Sequence, residues 1–356
     1  MNKFKYYFIL LLAGIAVVSC NKDDDNDVEV VPLRDYKVQY KADNDSIVKY
    51  LKTNYIEVDK TTFDVKITKI KAGGTQLSIW DQKEYELKIR KVYSNDVNYE
   101  VYYLVLREGT GASPCNYDKI SASYTGNVLT TSEYFDTSYG VARTFSLEPY
   151  LNTSVIEGWS EIFPQFKTGT STTAENGVIT YDNYGAGVMF LPSGLGYYAN
   201  TQDKIPAYSP LVFSFKLFSL QRLDHDFDGV FDFEEDLNHD GYLYDFRNTA
   251  KYPNPPKDLV SIDDTDKDGV ADFIDVDDDG DGYTTFFEIT KPTGAPKTGL
   301  STYYPYNPVL DNPNTPNVDE TETYGIPEFA ATGEPDYTSP GRKRIHVDKA
   351  HHTAKP

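Results

Sequence analysis

The sequence predicts an α+β fold in which an antiparallel β-sheet packs against one short helix. The chain of 356 residues contains 30 tyrosines and 19 phenylalanines but only two methionines. Aromatic side chains favour strands because they suit a pleated, half-buried surface. Between residues 99 and 221, several segments have the pattern of strands, and the segment SVIEGWSEIFPQFKTG places apolar residues at helical spacing. A sheet that buries one face against this helix is the simplest arrangement of these elements.

The N-terminus predicts a lipoprotein export signal. A basic start, MNKFK, is followed by an apolar run too short to span a bilayer comfortably, which ends at VVSC. Residues 1–19 are therefore interpreted as a signal peptide, Cys20 as the lipidated first residue and residues 20–34 as a linker. The acidic NKDDDND is similar to surface-export signals of Bacteroidetes lipoproteins. These features predict an outer membrane lipoprotein on the periplasmic or cell-surface face; an ordinary signal peptide with a coincidental cysteine is the alternative.

Charge and cysteine content exclude several classes of protein. The net charge of −21 leaves no basic footprint for phosphates, so nucleic acid is not an expected partner. Residues 224–288 alone hold 21 Asp and Glu against 4 Lys and Arg. If Cys20 carries lipid, Cys115 is the only other cysteine, so no intrachain disulfide is possible. With no histidine nearby in sequence, Cys115 is interpreted as a lone thiol rather than a nucleophile.

Residues 35–98 are interpreted as an N-terminal extension of unknown role. Residues 42–55 have apolar residues at helical spacing behind three candidate capping residues, Asn44, Asp45 and Ser46. The segments FDVKITKI, QLSIW and YELKIRKVY have strand-like alternation. Trp80 falls among them, and we expect it to serve packing.

Residues 99–221 carry a series of motifs. In chain order these are YLVLREGTG, ISASYTG, YFDTS, VIEGWSE, LPSGLGYY, KIP and LVFSFKL. The series resembles the FKBP-type peptidyl-prolyl cis-trans isomerases, over about residues 100–220. The resemblance implies a five-stranded antiparallel sheet wrapped on a short helix, with an aromatic hollow between them that accepts a proline ring. Pro164 predicts an early end of that helix.

The resemblance also implies a set of site residues. Trp159 would form the floor of the hollow, and its walls would be Tyr124, Phe135, Phe145, Val155, Ile205 and Phe213. The backbone N–H of Ile156 would hold a substrate carbonyl. Tyr197 would donate a hydrogen bond at the rim, and Asp136 would add a polar edge. For any single aromatic residue on a strand, a role in the core is the alternative.

Prolyl isomerisation suits these residue types. Rotation about an X-Pro bond meets a barrier of roughly 18–20 kcal/mol, and no covalent bond changes. A dry apolar pocket that favours the twisted amide therefore needs neither nucleophile nor cofactor. The resemblance implies an isomerase that acts on proline-containing polypeptides and assists the folding of envelope or secreted proteins.

Three departures from the family pattern favour a different interpretation. The arginine that usually pairs with the aspartate of the FDxS motif falls at Val141, with Arg143 nearby. The glycine that usually follows the rim tyrosine is Tyr198, and residues 170–187 form an insertion. The second hypothesis is therefore a catalytically inactive FKBP-like surface binding module on a calcium-stiffened stalk.

Residues 222–290 predict an irregular array of calcium loops. The Asp224 loop matches the twelve-residue EF-hand pattern, with ligands Asp224, Asp226, Asp228, the carbonyl of Val230, Asp232 and Glu235. The Asp277 loop supplies Asp277, Asp279, Asp281, the carbonyl of Tyr283 and Glu288. The Asp264 loop supplies Asp264, Asp266, Asp268, the carbonyl of Val270, Asp272 and Asp275, and a weaker Asp236 loop begins with Asp236, Asn238 and Asp240.

The spacing of these loops is too short for complete helix-loop-helix units. The array is similar to thrombospondin type 3 repeats, in which calcium substitutes for a hydrophobic core. We therefore expect structural calcium, with a solvated acidic linker as the alternative.

Residues 291–356 predict a mostly irregular, Pro-rich tail. Its histidines, His346, His351 and His352, could hold a transition metal, but a flexible basic end is the simpler interpretation.

Overall fold

The computed structural model describes residues 32–148, 155–310, 321–329 and 334–352. The predicted signal peptide, Cys20 and most of the linker lie outside these residues. Within the described ranges, no helix combines the length and the hydropathy that crossing a membrane requires.

The helices and strands have the following bounds. The helices are α1 (Tyr36–Thr53), α2 (Glu157–Ile162) and α3 (Thr285–Glu288). The strands are β1 (Asn54–Val58), β2 (Val65–Lys69), β3 (Glu86–Ser94), β4 (Val97–Arg107), β5 (Lys119–Val128), β6 (Tyr134–Thr137), β7 (Arg143–Ser146), β8 (Thr170–Thr173), β9 (Ile179–Asp182), β10 (Gly185–Leu191), β11 (Leu211–Gln221), β12 (Glu328–Phe329) and β13 (Pro335–Asp336).

The main sheet confirms the predicted α+β class. Its strands follow the order β3, β4, β10, β11, β5 and β6, while β7 also pairs with β5, and every pairing is antiparallel. The sheet has seven strands, whereas the resemblance implied five. The difference arises partly from β3, which belongs to the predicted extension and pairs with β4 along its whole length.

The two faces of the sheet bury separate cores because successive side chains of a strand point to opposite faces. On β4, Val101 and Tyr103 join the core that contains α2, whereas Tyr102 and Leu104 join the core that contains α1. Ile47 and Leu51 of α1 are completely buried there. The end of α1 thus covers the sheet face opposite to α2, while Tyr36 and Tyr40 at its start pack against the core that contains α2.

Two expectations for the extension are wrong. Helix α1 begins at Tyr36 because the Asp35 carboxylate accepts the Val38 N–H at 2.9 Å, so the expected caps at 44–46 lie inside the helix. The segment QLSIW forms no strand. It crosses the end of α1 instead. There the backbone N–H of Trp80 donates to the Leu51 carbonyl, and the Trp80 ring packs on Tyr102.

The structure confirms one prediction near α2, the early end of the helix, and corrects another, the length of the insertion. Helix α2 ends at Ile162 and passes into a 3-10 turn that contains Pro164, which confirms the early end. The predicted insertion is too long, since only β8 and β9 form a projecting hairpin. Gly185 and Gly187 belong to β10, and a Cβ on Gly187 would lie 2.5 Å from the Phe166 ring. The close approach of that ring explains the glycine.

The C-terminal part has little regular structure but a core of its own. Val230 and Ile289 pack with Tyr304, Ile326 and Ile345, all fully or almost fully buried. The expectation of a flexible basic end is therefore wrong for the described tail. Arginine side chains near its end are buried because they donate to backbone carbonyls, among them Arg342 to Ile326 at 2.7 Å.

Candidate functional site

The residues predicted for the hollow form one aromatic cluster around Trp159 of α2, and we refer to this cluster as the hollow. The indole makes edge contacts with Tyr124, Phe145 and Phe213 at centroid distances of 5.0, 5.2 and 5.3 Å. Phe135 contacts Phe213 edge-on at 5.5 Å. All residues predicted for the floor and walls belong to this one cluster, which also includes Val155, Ile156, Tyr197 and Ile205.

A glycine allows the walls to approach each other. A Cβ on Gly126 of β5 would lie 2.5 Å from the Phe135 ring and 2.8 Å from the Phe213 ring. Any larger residue there would displace both rings. The glycine of the SYTG motif therefore shapes the hollow, a role that the sequence analysis did not predict.

Two hydrogen-bond donors at the hollow have no acceptor among the residues that the structure describes. The Ile156 N–H precedes the first turn of α2 and forms no hydrogen bond within the described residues. The indole Nε1–H of Trp159 is buried and likewise has no acceptor in the described part of the chain. Free N–H groups beside an apolar hollow are suited to a carbonyl of a bound peptide.

The polar edge consists of Tyr124, Asp136 and Tyr197. The Tyr124 hydroxyl donates to the Asp136 carboxylate. Burial raises the pKa of Tyr124, and its hydrogen bond to Asp136 raises it further, so the phenol stays protonated. Burial followed by the Asp136 charge also raises the pKa of Tyr197. The Asp136 carboxylate therefore lies against the Tyr124 hydroxyl, and its charge also acts on Tyr197.

The structure shows which residue contacts Asp136 in place of the family's arginine and where the Tyr198 ring lies. Among the described residues, Asp136 has no ion pair with Arg143, and Tyr124 is its hydrogen-bonding partner instead. Tyr198 has a φ of 50°, a conformation that favours glycine. Its ring stacks on Tyr36 of α1 at 4.0 Å and packs edge-on against Tyr208. These contacts direct the ring toward the N-terminal helix rather than into the hollow.

The hairpin of β8 and β9 also lies away from the aromatic walls. Its Tyr181 stacks on Phe218 near the end of β11, at 4.8 Å. Phe213, which lines the hollow, lies near the start of the same strand.

Cys115 is confirmed as an unreactive lone thiol. It is 2% exposed, and burial raises its pKa well above the usual range. A buried thiol that stays protonated is a poor nucleophile.

The four acidic loops share one backbone geometry. In each, the first acid accepts the N–H of the loop glycine, as Asp224 does from Gly229 at 3.1 Å and Asp277 from Gly282 at 3.0 Å. The corresponding bonds join Asp264 to Gly269 and Asp236 to Gly241. All four glycines have a φ between 86° and 98°. The turn requires this left-handed conformation, which explains the glycine at the same position of every loop.

Carboxylates converge in three of these loops. One ligand oxygen from each alternate acid lies within 4.8 Å of the others in the sets Asp224, Asp226 and Asp228, then Asp264, Asp266 and Asp268, then Asp277, Asp279 and Asp281. The Asp236 loop has Asn238 in the middle position, so it offers fewer charges.

Several of these carboxylates are buried without a hydrogen-bond donor, including oxygens of Asp226, Asp279 and Glu288. Burial and then the neighbouring acids raise the pKa of Asp226 to about 8 and that of Glu288 to about 9. Oxygen donors held in this way match the preference of calcium.

Two predicted ligands, the acids at position 9, lie outside the carboxylate clusters. Asp232 accepts the backbone N–H of His225 at 2.9 Å and contacts its ring Nδ1 at 2.7 Å. Asp272 accepts both the N–H and the hydroxyl of Thr265. In each loop, the acid at position 9 therefore ties down the residue at position 2, and neither acid belongs to a carboxylate cluster among the described residues.

The tail histidines do not converge on a metal. His346 is 2% exposed, and burial lowers its pKa to about 3. His351 pairs with Asp348, while His352 stacks on Tyr283 at 4.1 Å. None of the three takes part in a metal-binding group among the described residues.

Sequence reasoning missed a contact between the hollow and the acidic region. Tyr242, at position 7 of the Asp236 loop, donates from its hydroxyl to the Glu161 carbonyl at 2.6 Å. The Glu161 carboxylate pairs with Arg90 at 3.3 Å, and Lys251 pairs with Glu157. Helix α2 thus contacts the hollow through Trp159 and residues 242–251 through its other side. No sequence pattern joins positions so far apart.

Comparisons with known proteins give distant likenesses. The profile of a family described as BamM C-terminal matches residues 225–317, which include the acidic loops and continue past the predicted boundary at residue 290. No curated protein matches the chain.

Two solved structures are similar in part. A peptidyl-prolyl cis-trans isomerase from Pseudomonas syringae pv. tomato is 18% identical with a TM-score of 0.31, and the match covers 52% of this chain and 95% of that one. FkpA from Escherichia coli is 19% identical with a TM-score of 0.31, over 52% of this chain and 60% of FkpA. Neither likeness is close enough to bear on activity.

Proposed function

We propose that residues 99–221 form a peptidyl-prolyl cis-trans isomerase domain that acts on X-Pro bonds of polypeptide clients. The observation that carries this proposal is the aromatic cluster at the place where the resemblance implies a proline-binding hollow. Its floor is Trp159, three aromatic rings surround the indole at 5.0 to 5.3 Å, and the Ile156 N–H at its edge has no acceptor among the described residues. The ordered series of motifs supports the same function.

In the proposed mechanism, the proline ring packs on Trp159 and the amide before it twists. A twisted amide has lost its resonance, so it is less polar and fits an apolar hollow better than the planar form. The Ile156 N–H would hold a carbonyl of the bound peptide, and the Tyr197 hydroxyl would donate at the rim. Catalysis is then preferential binding of the twisted state, which requires no cofactor and no covalent intermediate.

Ile156 offers a sharp test of this mechanism. Its φ of −65° and ψ of 147° are compatible with proline, so Ile156→Pro deletes the N–H with little strain in its own backbone. Ile156→Val is the matched control that keeps the N–H. Exchange NMR on X-Pro peptides, with the full chain in detergent micelles and calcium, measures the rate of isomerisation.

We expect acceleration by the wild-type protein and by Ile156→Val, and a loss of about tenfold in Ile156→Pro. That loss corresponds to about 1.4 kcal/mol, the size of one hydrogen bond. A folded wild-type protein that leaves the rate unchanged would overturn the isomerase and favour the inactive binding module.

We also propose that the chain is anchored in the outer membrane by a lipid on Cys20, with envelope or secreted proteins as clients. The signal sequence and the following cysteine support this proposal. Cys20→Ser should move the protein from the membrane fraction to the soluble fraction. Retention of this variant in the membrane would argue against the anchor.

The acidic loops are proposed to bind calcium as a structural ion. The convergent carboxylates and the common loop geometry support this function. The ligands would be the alternate acids of each loop, the carbonyls of Val230, Val270 and Tyr283, and the acids at position 12, which are Glu235, Asp275 and Glu288. Calcium would neutralise charges that otherwise repel one another. Calorimetric titration tests this, and the absence of calcium binding would refute it.

A further inference from the structure

Asp278 lies where the loop pattern requires no acid. It occupies position 2 of the Asp277 loop, between the two predicted ligands Asp277 and Asp279. Its carboxylate meets Asp228 and Glu235 of the distant Asp224 loop, with one ligand oxygen of each within 4.8 Å of the other two. The three side chains belong to residues that are 1, 1 and 2% exposed.

The oxygens of this group lack hydrogen-bond donors. Both oxygens of Asp278, both of Glu235 and Oδ2 of Asp228 are buried without a partner. The other oxygen of Asp228 accepts the Val230 N–H at 2.8 Å, which fixes the orientation of that carboxylate. Buried carboxylates without donors are costly, and an ordinary loop offers water or N–H groups instead.

The charges around the group make the cost larger. The carboxylates of Asp228, Glu235 and Asp278 repel one another when ionised, because one oxygen of each lies within 4.8 Å of the other two. A positive ion at the centre of the group would reverse each of these repulsions.

We propose that Asp228, Glu235 and Asp278 form a separate calcium site that joins the Asp224 loop to the Asp277 loop. This inference rests on the proposed calcium loops and adds a site between two of them. Asp228 would be shared, since it also belongs to the cluster of Asp224 and Asp226. An ion held by both loops restrains the intervening chain as a cross-link does, because the unfolded chain loses freedom when distant residues are joined.

The test counts calcium ions in three versions of the full chain in detergent micelles. The versions are the wild type, Asp278→Asn and the control Asp258→Asn, which changes an exposed aspartate outside the loops. Each is dialysed against the same free calcium concentration, and bound calcium per chain is measured by mass spectrometry. Thermal unfolding is then recorded in calcium and in chelator.

We expect Asp278→Asn to bind one calcium ion fewer than the wild type and Asp258→Asn to bind the same number. The Tm of Asp278→Asn should fall in calcium but not in chelator, since the variant removes a repulsion when no ion is present. An unchanged count in Asp278→Asn overturns the shared site. If the wild type binds no calcium, the proposed loops themselves fail, which is a different result.

A second measurement covers the case in which Asp278→Asn does not fold. Crystals of the wild-type protein grown in calcium would give an anomalous difference map. A peak about 2.3–2.6 Å from oxygens of all three side chains supports the site. Peaks within the individual loops but none among these three carboxylates would overturn it.

Discussion

Replacing Trp159 separates catalysis from packing more directly than any other change in the hollow. The indole is 3% exposed and contacts Tyr124, Phe145, Phe163 and Phe213 at 5.0 to 5.3 Å. Removing a buried tryptophan costs about 3–5 kcal/mol in cavity and transfer terms. That range already includes contacts with neighbouring rings, and four such contacts place Trp159→Ala at its upper end, so we expect a loss of about 4–5 kcal/mol of unfolding free energy.

The chain supplies a matched control in Trp80, its only other tryptophan. Trp80 is half-buried on the opposite face of the sheet and contacts Tyr102 at 5.9 Å. Trp80→Ala should therefore cost about 1–2 kcal/mol, because less surface is buried. It should leave isomerisation unchanged.

Urea unfolding gives the stabilities, and exchange NMR on an X-Pro peptide gives the rates for the same samples. Small domains have about 5–15 kcal/mol of stability, so calcium and low temperature should keep Trp159→Ala folded. Trp159→Ala that is folded and still accelerates isomerisation as the wild type does would refute the assignment of Trp159 as the floor of a catalytic hollow. Equal losses of activity in both tryptophan variants would point to general destabilisation.

Three further predictions concern helix α2, the acidic loops and the contact between them. Burial raises the pKa of Glu161 to about 7, so this group stabilises the fold by up to about 3 kcal/mol below pH 4.5, and the gain is lost as pH rises through 7. Urea unfolding at pH 5 and 8 in saturating calcium should show a smaller difference for Glu161→Gln than for the wild type, and an identical difference would contradict this. Chelation should lower Tm, since calcium at a hundred times its Kd contributes about 2.7 kcal/mol per site; a Tm that does not depend on calcium would refute structural binding. Tyr242→Phe removes the hydrogen bond to the Glu161 carbonyl, so calcium should change Trp159 fluorescence less in this variant than in the wild type, and an equal change would exclude this route.

The sequence predicts the hollow well because its residues come from local motifs. The segment VIEGWSE forms the start of α2, and SYTG and FDTS form neighbouring parts of β5 and β6, so short patterns already imply their structure. The Asp224 and Asp277 loops are equally local, since acids and a glycine at fixed spacing define their turns. The start of α1 could not be predicted as easily, because Asp35 and three later residues are all acceptable helix caps.

What sequence reasoning missed depends on contacts between distant positions. In the sequence, Asp278 looks like any other acid of the Asp277 loop. Only the folded chain brings it to Asp228 and Glu235, which belong to another loop. Likewise, Tyr198 departs from the family pattern, and its stacking on the distant Tyr36 explains why a tyrosine fits at this position. Such residues violate a local rule, and the compensation comes from elsewhere in the fold.

Helix α2 links the proposed isomerase site to the proposed calcium loops. It is only six residues long and carries Trp159 on the side of the hollow. A helix this short is not stable alone, so its position depends on tertiary contacts. Those contacts include the Tyr242 hydroxyl on the Glu161 carbonyl and the ion pair of Lys251 with Glu157. Because Tyr242 belongs to the Asp236 loop, we expect the order of that loop to affect how firmly the floor of the hollow is held.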